Sequence, residues 1–219
     1  MLTVVLSLLI LISAAVHIRA EYCGPRYQVY VFKPLTTTLI LMIALGARDP
    51  VVLLYKYAIV LGLAFCLAGD VFLMLPSDRF LPALGSFLMG QLCYIAAFYS
   101  GVSFPRSIAL ILPFAVYGAL VLWVLWSFLD KLRIPVLGYV LVILIMAWQA
   151  LERLVDTGQC SALLAFLGAL LFVLSDTALG VNRFRRQFRS AQAVTLVTYY
   201  LAQWGIALSV RFATDSIID

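Results

Sequence analysis

Apolar residues run along this chain in long blocks, broken by short polar or Gly/Pro-containing stretches. Read between charges and breakers, the blocks cover about residues 2–18, 31–47, 51–75, 80–100, 107–128, 134–151, 161–180 and 191–212. Each approaches the roughly 20 apolar residues that a helix needs to cross a hydrocarbon core. The breaks carry Gly24-Pro25, Asp49-Pro50, Pro76-Ser77-Asp78, Pro105, Pro135 and Gly158, residue types that start turns and end helices. The pattern predicts an all-α integral membrane protein of about eight transmembrane helices. The first block, MLTVVLSLLILISAAV, has the apolar character of a signal peptide. It lacks a basic stretch ahead of it, and further spans follow, so it reads as the first transmembrane helix.

Composition agrees. Of 219 residues, 65% are hydrophobic and 11% charged, whereas a soluble domain carries about a quarter charged residues. The 15 Lys and Arg against 10 Asp and Glu therefore speak of membrane orientation rather than nucleic-acid binding. With loops numbered by the span they follow, the odd loops hold Arg19, Arg26, Lys33, Arg79, Lys131, Arg133, Arg183, Arg185, Arg186 and Arg189. The even loops and tail hold Arg48, Lys56, Arg106, Arg153 and Arg211. This imbalance predicts cytoplasmic odd loops and non-cytoplasmic termini, with Arg185, Arg186 and Arg189 as anchors. Cys23, Cys66, Cys93 and Cys160 are scattered without CxxC spacing, so neither a disulfide framework nor a zinc site is expected.

No linker divides the chain, which reads as a single polytopic membrane domain over 1–219. A faint internal similarity suggests two parallel four-helix repeats, 1–104 and 105–219. GDVFLMLPSDRF is followed by Gln91, and SDTALGVNRF by Gln203, while KPLTTTLILMIA resembles IPVLGYVLVILIMA. Such repeats would put a binding site at their interface.

Two acids interrupt the apolar blocks, Asp70 in span 3 and Asp176 in span 7. An acid at mid-helix costs roughly 2.5–3.5 kcal/mol on insertion scales, and such residues usually face a functional interior. The two spans cross in the same direction, and each acid precedes its span's end by about five residues, so both carboxyls are expected at similar depth. Asp70 also continues a stripe of small residues, Gly62, Cys66 and Gly69, that permits close helix approach. Other polar groups gather at the same leaflet. Lys33 opens span 2, Arg133 precedes Tyr139 in span 6, and Asn182 and Arg183 follow Asp176. Thr195, Thr198, Tyr199, Ala202 and Gln203 form one stripe on span 8, and Gln91 and Tyr94 another on span 4. Central acids with cations at the rim suit a lipid whose phosphate sits at headgroup level. Read structurally instead, either acid would be the ion-pair partner of Lys33, Arg79 or Arg183, and the Tyr and Gln stripes would be interhelical hydrogen-bond glue. The chain has no GxSxG and no HExxH, and its one histidine, His17, reads as a membrane-edge residue. Any proton chemistry then falls to carboxylates, with no metal or cofactor expected.

These residues resemble the YhhN-like family of membrane proteins, the lysoplasmalogenases. The likeness runs through FKPLT at 32–36, GDVFLMLP with RF at 79–80, F..GQLCY at 87–94 and P..GYV at 135–140. It continues with GALLFVLSD at 168–176, NRF at 182–184 and TYYLAQ at 198–203. The resemblance implies an all-helical fold of about eight spans, in a bacterial inner membrane or, in a eukaryote, the endoplasmic reticulum membrane. It implies hydrolysis of the vinyl ether bond of alkenyl lysophospholipids, giving a fatty aldehyde and a glycerophospho-head-group. The family's two essential aspartates fall on Asp70 and Asp176. Partners are then a lysophospholipid substrate and membrane lipids, with no nucleic acid. The chain departs from the family at Gln91, where His is frequent.

Vinyl ether hydrolysis needs a proton on carbon and then water on the resulting cation. The expectation is that one aspartate is the general acid and the other stabilises the cation and positions water. Lys33 and Arg183 would hold phosphate. Gln91, Tyr94, Tyr139, Asn182, Tyr199, Tyr200 and Gln203 would contact or orient substrate or water. A proton-coupled transporter and an intramembrane aspartyl protease remain alternative readings of the same acid pair.

Overall fold

The computed structural model describes residues 2–47, 52–100 and 108–213. The breaks read at Asp49-Pro50 and Pro105, with Arg48 and Arg106, lie outside the described residues. Eight helices follow one another: α1 (Leu2–Cys23), α2 (Arg26–Leu45), α3 (Leu53–Met74), α4 (Phe80–Tyr99), α5 (Leu112–Leu125), α6 (Arg133–Thr157), α7 (Cys160–Gly180) and α8 (Ala191–Ser209). Short 3₁₀ turns extend α5 at both ends, and a π-type turn, Val181–Arg185, prolongs α7. Each of the eight, with these extensions, is long and apolar enough to cross a membrane. Large apolar side chains stand on the outer surface, Val116, Trp123 and Ile134 among them. That is the arrangement expected where the surrounding solvent is lipid rather than water. The protein is a multi-pass membrane protein.

The helix bounds depart from the sequence reading in two informative places. Pro25, in extended conformation, caps α2, which begins at Arg26 rather than near residue 31. Lys33 therefore lies two turns inside the helix and is buried, not at its mouth. One residue on, Pro34 lacks an amide proton, so the Tyr30 carbonyl has no helical donor. At the other end of the molecule, α6 runs past the expected residue 151 to Thr157 and stops where Gly158 adopts φ +61°. The extra turn is stable because its polar residues are buried with partners. Arg153 donates to the Ser100 carbonyl at 2.5 Å and lies 4.6 Å above the Tyr55 ring. Trp148 donates to Glu152 at 3.2 Å.

Small residues set the tightest helix pairs. A Cβ on Gly62 would come within 2.4 Å of the Tyr94 ring, and one on Gly90 within 2.9 Å of Cys66 Sγ, so α3 and α4 touch nearly backbone to backbone. On the α7–α8 seam, a Cβ on Gly168 would meet the Ala202 carbonyl oxygen at 2.8 Å. In lipid, where apolar surface gains little by changing neighbours, this close packing carries much of the association. The α3–α4 and α7–α8 pairs carry Asp70 and Asp176 respectively, so the seams hold both acids in place.

Gly168→Ala must push against backbone and is expected to cost roughly 1–3 kcal/mol. Gly138→Ala, whose added Cβ meets nothing within 4 Å, is expected to be neutral or to stabilise by up to about 1 kcal/mol through helix propensity. Thermal unfolding of both variants in the same detergent tests the contrast.

Candidate active site

Asp70 lies one turn before the end of α3, and Asp176 one turn before the end of α7. Both line a single cavity of about 910 Å³. Gly24, Pro76 and Gln187, from the α1–α2, α3–α4 and α7–α8 connections, also line it, so the cavity opens at the odd-loop end of the bundle.

The two acids are held differently. Asp70 is 1% exposed. Its Oδ2 accepts from Thr37 Oγ1 at 2.7 Å and from the Tyr199 hydroxyl at 2.8 Å, while Lys33 Nζ stands 3.7 Å from Oδ1. Lys33, not Arg79 or Arg183, is therefore the cation at this acid, and it comes from the helix turn below Thr37. Asp176 is half-buried. Tyr139 of α6 donates to its Oδ2, and the Gln91 amide of α4 donates to the same tyrosine oxygen at 2.7 Å. Asp176 also lines a second, narrow apolar slot of about 70 Å³, walled by residues such as Tyr117, Val121, Val140 and Leu144. Phe80, Phe87, Leu179 and Phe184 line both spaces. Asp176 thus sits where a polar chamber meets an apolar one.

Of the other expected residues, Lys33, Asn182, Arg183 and Tyr199 line the polar cavity and Tyr139 the slot. Arg183 is already engaged: its Nη2 bonds both oxygens of Asp78, at 3.0 and 2.8 Å, and its guanidinium lies 4.1 Å over the Phe80 ring. Asn182 Oδ1 accepts from the Phe188 amide at 3.3 Å, shaping the connection to α8. Gln91, Tyr94, Tyr200 and Gln203 line neither space. They meet the expectation of substrate contact with a different arrangement, because neighbouring helices cover them. The Tyr94 hydroxyl donates to Gln203 Oε1 at 2.7 Å, and Tyr200 bonds His17 Nδ1 at 2.8 Å. Gln91 reaches the cavity system only through Tyr139.

Several residues around the site escaped the sequence reading. Thr37 stands four residues after Lys33 on α2, a spacing that puts both on one face and that could have been noticed. Glu21 and Arg26 line the cavity from the α1–α2 turn. His17 is fully buried against α8; its partner there is 183 residues distant, which no local pattern reveals. Among the described residues no group of three or more His, Cys, Asp and Glu side chains is placed to hold a metal ion.

The YhhN family model matches residues 28–210, a stretch containing both acids and every helix that holds them. The chain belongs to the YhhN family. The "Uncharacterized membrane protein YhhN" of Escherichia coli O6:H1 is 33% identical over 199 residues, which is 91% of this chain and 95% of that protein. Mammalian relatives carry a named activity. "Lysoplasmalogenase TMEM86B" of Sus scrofa is 36% identical over 152 residues, covering 68% of this chain and 62% of that protein. "Lysoplasmalogenase TMEM86A" of Homo sapiens is 31% identical over 156 residues, covering 69% of this chain and 64% of that protein. The matched region spans less than two thirds of those two lysoplasmalogenases. No solved structure matches the chain.

Lys33→Met leaves the Asp70 carboxylate without its cation in a largely dry setting. It is expected to lower stability by roughly 3 kcal/mol, and adding Asp70→Asn in the same chain should recover a large part of that loss. A thermal-unfolding double-mutant cycle measures it, and strictly additive losses would contradict the pairing.

Proposed function

We propose that the protein is a lysoplasmalogenase-type hydrolase that cleaves the vinyl ether bond of alkenyl lysophospholipids with Asp70 and Asp176. Family membership and the names of the mammalian members support a hydrolase of this class. The observation that carries the reading is Asp176 at the junction of a charged cavity and an apolar slot, with Asp70 on the same cavity wall. A lysolipid has that polarity: a charged head, an ether bond at the boundary and an alkyl chain.

With the first carbons of the chain in the slot and the head in the cavity, the ether carbons lie beside Asp176. Asp176 has one protein donor among the described residues, Tyr139, and is the group placed to deliver a proton to the alkenyl carbon remote from oxygen. The electron pair of the C=C bond forms the new C–H bond, and the ether oxygen shares the resulting positive charge. Asp70, already accepting from Thr37 and Tyr199, faces the same space as a fixed acceptor. It stabilises the cation and takes the proton of the water that adds to the carbon next to oxygen. The resulting hemiacetal breaks its bond to the glycerol oxygen, which gains a proton, and releases the aldehyde. Substrate plus one water equals aldehyde plus glycerophospho-head-group. Lys33 and Arg26, both on the cavity wall, offer positive charge to the phosphate. Tyr139, steadied by Gln91, fixes the Asp176 carboxyl. The charge bias of the loops supports an orientation with the mouth of this cavity on the cytoplasmic side and both termini opposite.

Purified protein incubated with an alkenyl lysophospholipid and its acyl counterpart is expected to release aldehyde from the alkenyl lipid alone, read by mass spectrometry. Asp70→Asn and Asp176→Asn should each reduce turnover by roughly 10²-fold or more while remaining inserted and folded. Near-normal activity in both variants would overturn the mechanism. Intact lipid in every tube, with pH-gradient-driven uptake in vesicles, would turn the same acids into a transporter's relay.

A further inference from the structure

Glu21 is the one cavity-wall acid that the chemistry above does not use. It lies on the last turn of α1, and its side chain is 22% exposed. Its position is not left to a flexible surface rotamer. His17, one turn back, stands with Nε2 3.3 Å from Glu21 Oε1, an ion-pair distance without the alignment of a hydrogen bond. The ring is fixed from its other nitrogen by the Tyr200 hydroxyl of α8 at 2.8 Å. The other ring nitrogen, Nε2, faces Glu21. A fully buried histidine thus backs a carboxylate that opens into the cavity. Lys33 and Arg26 lie within electrostatic reach of that carboxylate. Lys33 also serves Asp70, and Arg26 makes no ion pair within 4 Å among the described residues. The α1–α2 end of the cavity therefore presents one oriented anion beside two cations, a pattern complementary to a zwitterion.

We propose that Glu21, backed by His17, is the subsite for the primary ammonium of a phosphoethanolamine-type head group, whose phosphate lies against Arg26 and Lys33. The inference rests on the lysolipid reading of the cavity. A primary ammonium carries three N–H donors and forms charge-assisted hydrogen bonds with a carboxylate. A quaternary ammonium has no such donors and depends on aromatic faces instead. Oriented carboxylate geometry thus selects the primary amine over both a quaternary one and a head group ending at phosphate.

The test is equilibrium binding of saturated-ether lysolipids, which lack the vinyl bond, to the purified full chain in detergent. One lipid carries phosphoethanolamine, one phosphocholine and one phosphate alone. The wild-type protein is expected to bind the ethanolamine lipid about tenfold more tightly than either other lipid, the scale of about 1.4 kcal/mol. Glu21→Gln should bring the three within about twofold, and Glu21→Asp should restore a preference of the same sign. Because the readout is a ratio within each variant, a general loss of stability does not imitate it. An equal ratio in wild type, or an undiminished ratio in Glu21→Gln, overturns the subsite and leaves Glu21 as a counter-ion for His17 and Lys33. Failure of the hydrolase reading looks different: no aldehyde from any alkenyl lipid, with the binding preference intact.

Discussion

A carboxyl group carried into the apolar interior of a helix bundle has to find donors there, and the arrangement around Asp70 shows how much of the molecule that need recruits. Thr37 and Lys33 come from α2 and Tyr199 from α8, so one side chain on α3 ties two other helices to a single point. None of the three donors can be removed without leaving a desolvated acceptor short of partners, which is costlier than the bond itself is worth. The small residues of α3 and α4 serve the same end. They let the helices approach until the Phe87 ring sits where a Cβ on Gly69, the residue before Asp70, would be.

Asp176 answers the same physical problem with fewer bonds. Its donor, Tyr139, is itself held by the Gln91 amide, so the chain of contacts runs away from the cavity into the core. The free side of the carboxyl faces the meeting of polar and apolar space. Two acids in one chamber, one encircled and one left open, are thereby given different surroundings without any difference in residue type. Environment separates the roles of paired carboxyls in many hydrolases, and here the difference in surroundings is made by which helices reach each acid. The clasp of Arg183 on Asp78, stacked on Phe80, joins the α3–α4 connection to the π-type turn after α7 at the rim of the same chamber. Extra turns of π geometry tend to occur at functional sites, where they redirect the side chains that follow.

Much of the site was readable in the residues because both acids break an apolar period that otherwise has no reason to be broken. Their shared depth followed from counting residues to each helix end. Lys33, Tyr139, Asn182, Arg183 and Tyr199 stood out by lying at the same leaflet. What could not be read was which face each stripe turns to its neighbour. Gln91, Tyr94 and Gln203 have the spacing of a substrate-lining stripe, yet they pair across helices with no opening to the cavity. His17 and Glu21 are four residues apart on a helix that by itself looks like a plain lipid-facing span, and only α8 packed against it gives the histidine a partner.

The sequence by itself determined the class of the protein, the number of spans, the two acids and their depth, because these follow from hydropathy and from distance along a helix. Backbone hydrogen bonds in lipid must be satisfied within each span, so helix formation is a local property and is legible locally. Which helices become neighbours is not local. In a bilayer it depends on how small and polar residues of different spans interlock, and many pairings of apolar helices differ little in their loss of contact with lipid. Tertiary structure alone therefore decided that Thr37 reaches Asp70, that Gln91 stands behind Tyr139 rather than on a cavity wall, and that Glu21 faces the chamber from a histidine buried under the last helix.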